Sequence, residues 1–476
     1  MNTQNSGKKM FEPTTIVIFG ITGDLAKRKL IPALWRLFVK GYLPDEFSII
    51  GFARREWSDD ELRVYVKDII AGSGSDTSEG LADFLARITS VSGDFGAEES
   101  YRVLSRAIES IDERLGVCAS KLFHLAVPPD LYEGIFERLH ASGLSDMCAG
   151  LGGWTRVLVE KPFGSDWYTA QELDRKLGTL FKEEQIFRVD HYMGKESIQN
   201  ILAFRFSNAL LEHLWDARYI ERVHIRLWET LGMEGRGSFY DKVGALRDVG
   251  QNHILQMLSF IAMEDPQVFE AEAIRDARAK VLGALRPIGK DDIAQSVRRG
   301  QYRGFTQEPS VAPDSKTETY FCIKAHIDNE RWKGVPFYLE SGKKLGESKV
   351  EIEIVFRKKE SCLCPPGEEL HPQNTLVFRI QPHESIGVCF WAKRPGFEMK
   401  LEPRVLSFAY NGDEAAENSP DAYERVIFDC IVGDQTLFAS TQEVFGSWKF
   451  ITPIIEQWDT VPMEQYEPRW IPNSNY

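Results

Sequence analysis

Thr15-Ile16-Val17-Ile18-Phe19 runs without a break into Gly20-Ile21-Thr22-Gly23-Asp24-Leu25-Ala26, TIVIFGITGDLA. A short β-branched run, a glycine turn and then a helical pattern read as the first strand of a parallel α/β sheet. Gly20 permits the turn, Gly23 lets the backbone approach a pyrophosphate, and small Ala26 lets the helix lie close to the strand. Asp24 is placed to cap that helix. Gly20, Thr22, Gly23, Asp24 and Leu25 are therefore candidates to cradle the phosphates of a dinucleotide. The spacing is G-x-x-G-x-x-A rather than G-x-G-x-x-G, and a purely structural strand-to-helix turn would give the same pattern, so the neighbours decide.

The neighbours supply a repeated strand-helix alternation. Phe47 to Phe52 (FSIIGF) follows at βαβ distance and ends in Ala53-Arg54-Arg55, with no carboxylate at its tip. A carboxylate there would accept from a ribose 2′-hydroxyl, whereas arginine can hold a 2′-phosphate, so Arg54 and Arg55 favour NADP over NAD. A solvated surface pair is the other reading of these two residues. Further strand-like runs are Ile88 to Val91, Lys121 to Val127 and Arg156 to Val159, with a helical pattern at Asp130 to Leu139. Together they describe a doubly wound, Rossmann-like parallel sheet. The last of these runs ends in Glu160-Lys161-Pro162-Phe163-Gly164, which brings an ammonium to the carboxyl edge where such sheets bind ligands. The Lys161–Pro162 bond is a candidate for the cis form.

Phe187 to Asn208 (FRVDHYMGKESIQNILAFRFSN) gathers Asp190, His191, Tyr192, Gly194 and Lys195 just before an apolar helical pattern. Amides at a helix N-terminus attract an anion, and His191 and Lys195 would add charge-assisted hydrogen bonds to a phosphate or carboxylate. A polar cap leading into a core helix explains the same segment. Beyond it, Ile220 to Glu229 alternates apolar and polar residues, as a half-buried antiparallel strand does. Tyr320 to Ile327, Val350 to Phe356, Thr375 to Ile380, Gly387 to Trp391 and Tyr423 to Phe428 continue as strands. The expectation is α/β plus α+β: a dinucleotide-binding domain over 1–192 and a larger domain over 193–476 with a broad, mostly antiparallel sheet. Broad one-sided sheets often bury their open face against a partner, which points to a homo-oligomer, a homodimer or homotetramer.

Between those strands lies Gly235 to Leu258, GRGSFYDKVGALRDVGQNHILQML. Arg247, Asp248, Gln251, Asn252 and His253 are too many polar side chains for a simple amphipathic core helix and suggest a wet pocket. A lone histidine there is usually structural, so His253 needs a partner. Asp190 can be that partner: a buried carboxylate fixes an imidazole's tautomer and raises its basicity, leaving the second nitrogen to take a proton.

Composition bounds the alternatives. The 476 residues are 43% hydrophobic and 27% charged, with a net charge of −14. That balance argues against nonspecific nucleic-acid or anionic-membrane binding. The N-terminus lacks the apolar core of a signal peptide and no run of about 18 apolar residues occurs, so a cytoplasmic protein is expected. Seven scattered cysteines read as reduced thiols, and the Cys362-x-Cys364 pair has nothing nearby to complete a metal site.

GITGDLA, VEKPFG, RVDHYMGK, GSFYDKVGALRDVGQNHILQML and VPFYLESGKKL, in this order, closely resemble the glucose-6-phosphate dehydrogenase family from about Thr15 to the C-terminal region. The resemblance implies NADP-linked oxidation of glucose-6-phosphate to its lactone. It implies His253 as general base and Asp190 as its orienting carboxylate. His191, Tyr192 and Lys195 would grip the phosphate, while Lys161, Glu229, Asp248 and Lys343 would contact the sugar, with Lys161 also beside the nicotinamide. Departures from the family pattern are Ser348, where a second basic residue is usual, and Glu340, where arginine is frequent. The tail MEQYEPRWIPNSNY only loosely resembles that of members holding a second, structural NADP. Another sugar oxidoreductase with an E-K-P turn would not require both DHYMGK and RDVGQNH. A noncatalytic NADP-binding regulator would be expected to lack Asp190 or His253.

Overall fold

The computed structural model describes residues 11–74, 79–146, 153–358, 373–409 and 419–472. Contacts divide the chain into two compact units, the first comprising 1–164, 168–194 and 420–441, the second 165–167, 195–419 and 442–476.

The first unit is built on a seven-stranded sheet. β1 (Thr14–Phe19), β2 (Phe47–Ala53), β3 (Ile88–Ser92), β4 (Ser120–Leu125), β5 (Thr155–Val159) and β6 (Ile186–Val189) run parallel in the order 3-2-1-4-5-6. A short antiparallel strand, β15 (Phe438–Ala439), pairs with β6. Every residue of β1 is buried, which is why it reads as a continuous β-branched and apolar run, TTIVIF, rather than an alternating one. Because strand order reverses between β1 and β4, their carboxyl ends flank the crevice where open α/β sheets bind ligands. Helices Ile31–Val39 and Asp59–Gly72 pack Leu34, Trp35, Leu62, Val66 and Ile70 into the core on one side of this sheet.

The second unit is built on a nine-stranded sheet. Its strands are β7 (Ile220–Trp228), β8 (Val297–Tyr302), β9 (Tyr320–Ala325), β10 (Phe337–Gly342), β11 (Lys349–Phe356), β12 (Thr375–Gln381), β13 (Ser385–Lys393), β14 (Leu401–Ala409) and β16 (Met463–Tyr466), in the order 14-13-12-11-7-10-9-8-16. Among these described strands only β7 with β10 and β8 with β16 pair in parallel. Val223, Ile225 and Leu227 are buried, but so are His224 and Arg226 between them. The strand expected to be half-buried and antiparallel is thus covered on both faces, and β7 pairs in parallel with β10 as well as antiparallel with β11. Helix 255–262 is wholly buried, and its terminal carbonyls are taken up by side chains: Arg205 donates to Phe260 O and Met263 O, Trp215 Nε1 to Ile261 O, and Trp332 Nε1 to Ala262 O. The orphan acceptors of a buried helix end are thus satisfied without water.

Four further expectations are corrected. Tyr423 to Phe428 is not a strand but part of helix Ala422–Val432, capped by Asp421, whose side chain accepts from Tyr423 N. Helical spacing puts Tyr423, Val426, Ile427, Cys430 and Ile431 on one buried face, whereas a strand would divide them between two faces. That helix belongs to the first unit, so the contiguous division at 192/193 gives way to one in which 420–441 returns to the parallel-sheet unit. Asp24, expected as a cap, instead pairs with Arg28 at 2.7 Å across one helical turn. Cys118 is disulfide-bonded, not reduced. Cys322, Cys389 and Cys430 are free thiols, and Cys148, Cys362 and Cys364 lie outside the described residues. The Lys161–Pro162 bond is cis, and so is Gln381–Pro382.

Candidate active site

In the first unit the candidate residues stand at the carboxyl ends of parallel strands. Gly20 has φ +79°, and a Cβ there would lie 2.6 Å from Ala126 O, so the chain can turn at the end of β1 only with glycine. Gly20 N–H donates to Phe52 O at 2.8 Å and Gly23 N–H to Gly20 O at 2.8 Å, which holds the turn tight against β2. Thr22 and Asp24 are exposed, while Leu25 packs half-buried on the core and offers a phosphate only its backbone. Arg54 and Arg55 are exposed just past β2. The Arg55 guanidinium lies 5.1 Å from the Trp57 ring, and Ser92 Oγ accepts from Trp57 N and donates to Arg55 O, tying this loop to the end of β3. A glycine turn with cations and no carboxylate at Arg54 and Arg55 suits a phosphorylated dinucleotide.

The end of β5 is held by a buried network. His124 Nε2 meets Glu160 Oε1 at 3.2 Å, Tyr423 donates to Glu160 Oε2 at 3.4 Å, and Tyr132 donates to Glu160 O at 3.1 Å. Lys161 follows directly and is half-buried. Burial, with the Glu160 charge beside it, pushes the Tyr423 phenol far above its usual range, so it stays protonated. The Tyr423 ring also stacks on His191 at 6.0 Å. After β6, Asp190 is 4% exposed and one of its oxygens accepts from Tyr192 N at 3.0 Å, closing the turn that presents His191 and Tyr192.

In the second unit Lys195 precedes helix Glu196–Phe206. The first-turn amide of Ser197 donates to the Glu384 carboxylate at 3.1 Å, so an anion of the chain itself already faces this helix start. Asp248 and His253 lie on a π-helical turn, Leu246–Ile254, continuous with helix 255–262. A π-turn inside an α-helix re-aims its side chains and is frequent at functional sites. His253 is 2% exposed, with its N–H bonded to the Asn252 side chain at 2.7 Å, and Gln251 is fixed by Ser447 at 2.9 Å. At the start of the turn Glu318, wholly buried, accepts from Leu246 N at 2.9 Å and from Trp458 Nε1 at 2.8 Å. Burial raises its carboxyl pKa and these donors pull it back.

Strand ends bring the remaining residues. Glu229 follows β7 and Lys343 follows β10, and they meet at 2.6 Å. Lys343 also lies 5.3 Å from the Tyr240 ring, while Arg236 approaches Asp248 at 3.7 Å. The two family departures have structural accounts. Glu340 is buried, accepts from Tyr320 at 2.6 Å and faces Arg226 at 3.8 Å, so it is a member of a sheet ion cluster with Glu351 and Glu353. Ser348 bonds Thr230 N and Oγ1, and neighbouring Lys349 lies 4.0 Å from the Trp228 ring and pairs with Glu347. Sequence reasoning did not single out Glu318, Glu384, Tyr240 or Tyr423. Of these only Tyr240 sits in a segment already marked by its polar density.

Family models agree with this arrangement. Residues 17–200 match the glucose-6-phosphate dehydrogenase NAD binding domain and 202–474 its C-terminal domain. Glucose-6-phosphate 1-dehydrogenase of Bacillus subtilis is 40% identical over 453 residues, 93% of this chain and 91% of the relative. That of Borreliella burgdorferi is 39% identical over 461 residues, 95% and 93% of the two chains. Among solved structures, a glucose-6-phosphate dehydrogenase in complex with its substrate glucose-6-phosphate aligns with a TM-score of 0.89 at 36% identity, covering 98% of this chain and 96% of that one. The Mycobacterium avium glucose-6-phosphate 1-dehydrogenase aligns at 0.82 and 33%, covering 96% and 95%. With both domain models matched end to end, the chain belongs to the glucose-6-phosphate dehydrogenase family.

Proposed function

We propose that the chain oxidises D-glucose-6-phosphate to 6-phospho-D-glucono-1,5-lactone with hydride transfer to NADP+, the first step of the oxidative pentose phosphate pathway. The observation that carries this reading is its likeness, over 98% of its length, to a relative solved with glucose-6-phosphate. Bound NADP+ supplies the two-electron acceptor. Gly20, Gly23 and the backbone of Thr22 to Leu25 would hold its phosphates, and Arg54 and Arg55 its 2′-phosphate.

In the reaction the C1 hydroxyl loses its proton to the His253 imidazole while the C1–H bond breaks with its electron pair, leaving the lactone carbonyl. His253 acts as general base, and Asp190 keeps it in the tautomer that accepts from the sugar and stabilises the charge it gains. Burial of both side chains supports these roles. His191, Tyr192 and Lys195 grip the phosphate. With Glu384 already on Ser197 N, the grip rests on side chains more than on helix amides. Glu229, Asp248 and Lys343 hold the sugar hydroxyls, and Lys161 serves both sugar and nicotinamide.

The reading extends to a cytoplasmic homodimer or homotetramer. Strand β14 at the sheet edge exposes Leu406 and Phe408 on one face and Val405 on the other, apolar side chains that a sheet edge would not ordinarily keep in water. Among the described residues no helix is long and apolar enough to cross a membrane.

The test is the initial rate of absorbance increase at about 340 nm with glucose-6-phosphate, run with NADP and NAD and repeated with unphosphorylated glucose. NADP reduction that collapses without the phosphate is expected. Equal or better rates with NAD would overturn the cofactor preference alone, and no reduction with either cofactor would overturn the reaction.

A further inference from the structure

Tyr240 lies in helix Gly237–Ala245 and is 1% exposed. Its hydroxyl makes no hydrogen bond among the described residues. Leaving a buried hydroxyl unpaired forfeits its hydration with nothing in return, so such a group in a well-packed unit needs a reason. The surroundings supply one. The Lys343 ammonium stands 5.3 Å from the ring centroid and 2.6 Å from Glu229. The charges of Asp248, Glu318 and Glu229 all bear on the phenol, which burial first and these carboxylates next hold firmly protonated. The ring also meets Phe305 edge-on at 6.3 Å, a contact that helps hold its plane.

The chemistry of a sugar hydroxyl explains what this group is for. Each hydroxyl offers one proton and two lone pairs. Carboxylates such as Asp248 and Glu229 can only take the proton, and Lys343 spends one of its three N–H donors on Glu229. The several hydroxyls of a sugar carry more lone pairs than Lys343 and Lys161 can meet, which leaves work for a further donor. We infer that the Tyr240 hydroxyl is a substrate contact, donating to a ring hydroxyl oxygen of the sugar whose protons Glu229 and Asp248 accept; the assignment rests on the sugar-phosphate reading above. It makes Tyr240 a specificity-determining residue, because a site that holds a buried donor rejects a sugar lacking the matching hydroxyl.

The test is Tyr240→Phe, which keeps the ring against Phe305 and removes only the hydroxyl. Wild type and variant are compared on glucose-6-phosphate and on a panel of sugar 6-phosphates each lacking one ring hydroxyl, by steady-state kinetics, calorimetric binding and thermal melting. Expected is a KM for glucose-6-phosphate raised about three- to tenfold, the scale of one neutral hydrogen bond, with kcat little changed. One deoxy sugar should bind both proteins alike, since the missing hydroxyl and the missing phenol are two ends of the same bond. The melting temperature should stay level or rise. An unchanged KM overturns the inference. So does a loss shared equally by every sugar, or a melting temperature lowered by several degrees, either of which would make the hydroxyl part of an internal network. Wild-type protein that neither binds nor oxidises glucose-6-phosphate overturns the sugar-phosphate reading together with this one, whereas active wild type beside an indifferent variant overturns this one alone.

Discussion

At the carboxyl edge of β1 and β2 the polar groups are mainly backbone: the Gly20–Gly23 turn, closed by amide-to-carbonyl bonds of 2.8 Å, with two exposed arginines beside it. Around the π-helical turn of the second unit the polar groups are buried side chains, and most have a named partner: Gln251 with Ser447, Lys343 with Glu229, Glu318 with Leu246 N and Trp458. On the proposed reading the first arrangement would take a pyrophosphate through its backbone and leave discrimination to the arginines. The second is built for one shape, because each buried polar group must be matched by the substrate or by its neighbour.

If that contrast is right, the largest effect of a single change falls in the second unit. His253→Asn is expected to lower kcat by about two to four orders of magnitude while glucose-6-phosphate binding and melting temperature stay close to wild type. A variant that turns over at near the parent rate would assign the base elsewhere. Next in size is Gly244→Ala. Gly244 has φ +74° and ψ 169°, and an added Cβ would lie 2.4 Å from the Glu318 carboxylate. Backbone strain of roughly 1–3 kcal/mol and displacement of the group that caps the π-turn should lower the urea midpoint and kcat together. Unchanged stability would show that the turn does not depend on Glu318.

The same contrast explains what the sequence could and could not reveal. β1 is legible because a strand buried on both faces leaves an apolar run and the Gly20 turn needs a residue that only glycine supplies. His253 and Asp248 stood out because polar density breaks the helical stripe, although the π-helical pitch of Leu246–Ile254 did not: hydrophobic spacing over nine residues scarcely separates a period of 3.6 from a wider one. Tyr423 to Phe428 was misread because β-branched and aromatic residues there favour a strand locally, and only the core of the first unit, distant in sequence, rewards the helical face. Glu318 and Glu384 left no signal. Each acts by accepting a backbone N–H from a segment far along the chain, a relation no local pattern contains.

A smaller effect is expected at the nucleotide edge. Arg54→Ala and Arg55→Ala should each raise the KM for NADP about tenfold, near 1.4 kcal/mol, and leave that for NAD nearly unchanged, because the charge they supply meets only the 2′-phosphate. Steady-state kinetics with both cofactors measures this. Equal losses with NAD and NADP would make these residues supports of the β2 loop, as the Arg55–Trp57 contact would then suggest.

The smallest effect sharpens the comparison from the other end, in the helix that the first unit takes from late in the chain. Asp429 is 1% exposed, and burial pushes its carboxyl up to about 7 although Arg425 lies at 2.8 Å and pulls the other way. Its Oδ1 has no hydrogen-bond partner among the described residues, which fits a carboxyl that keeps its proton. An unfolded aspartate loses that proton near pH 3.9. Between there and about pH 7 the folded chain therefore holds more protons than the unfolded one, and stability falls as pH rises through the window. Asp429→Asn removes the titration and keeps the shape. Its melting temperature should accordingly decline less than that of the parent between pH 5 and pH 8, the two curves separating most at the alkaline end. A variant that loses stability equally at both pH values would instead show that the Arg425 ion pair outweighs burial, making this borrowed helix one more place where a named side-chain partner, as in the second unit, governs the fold.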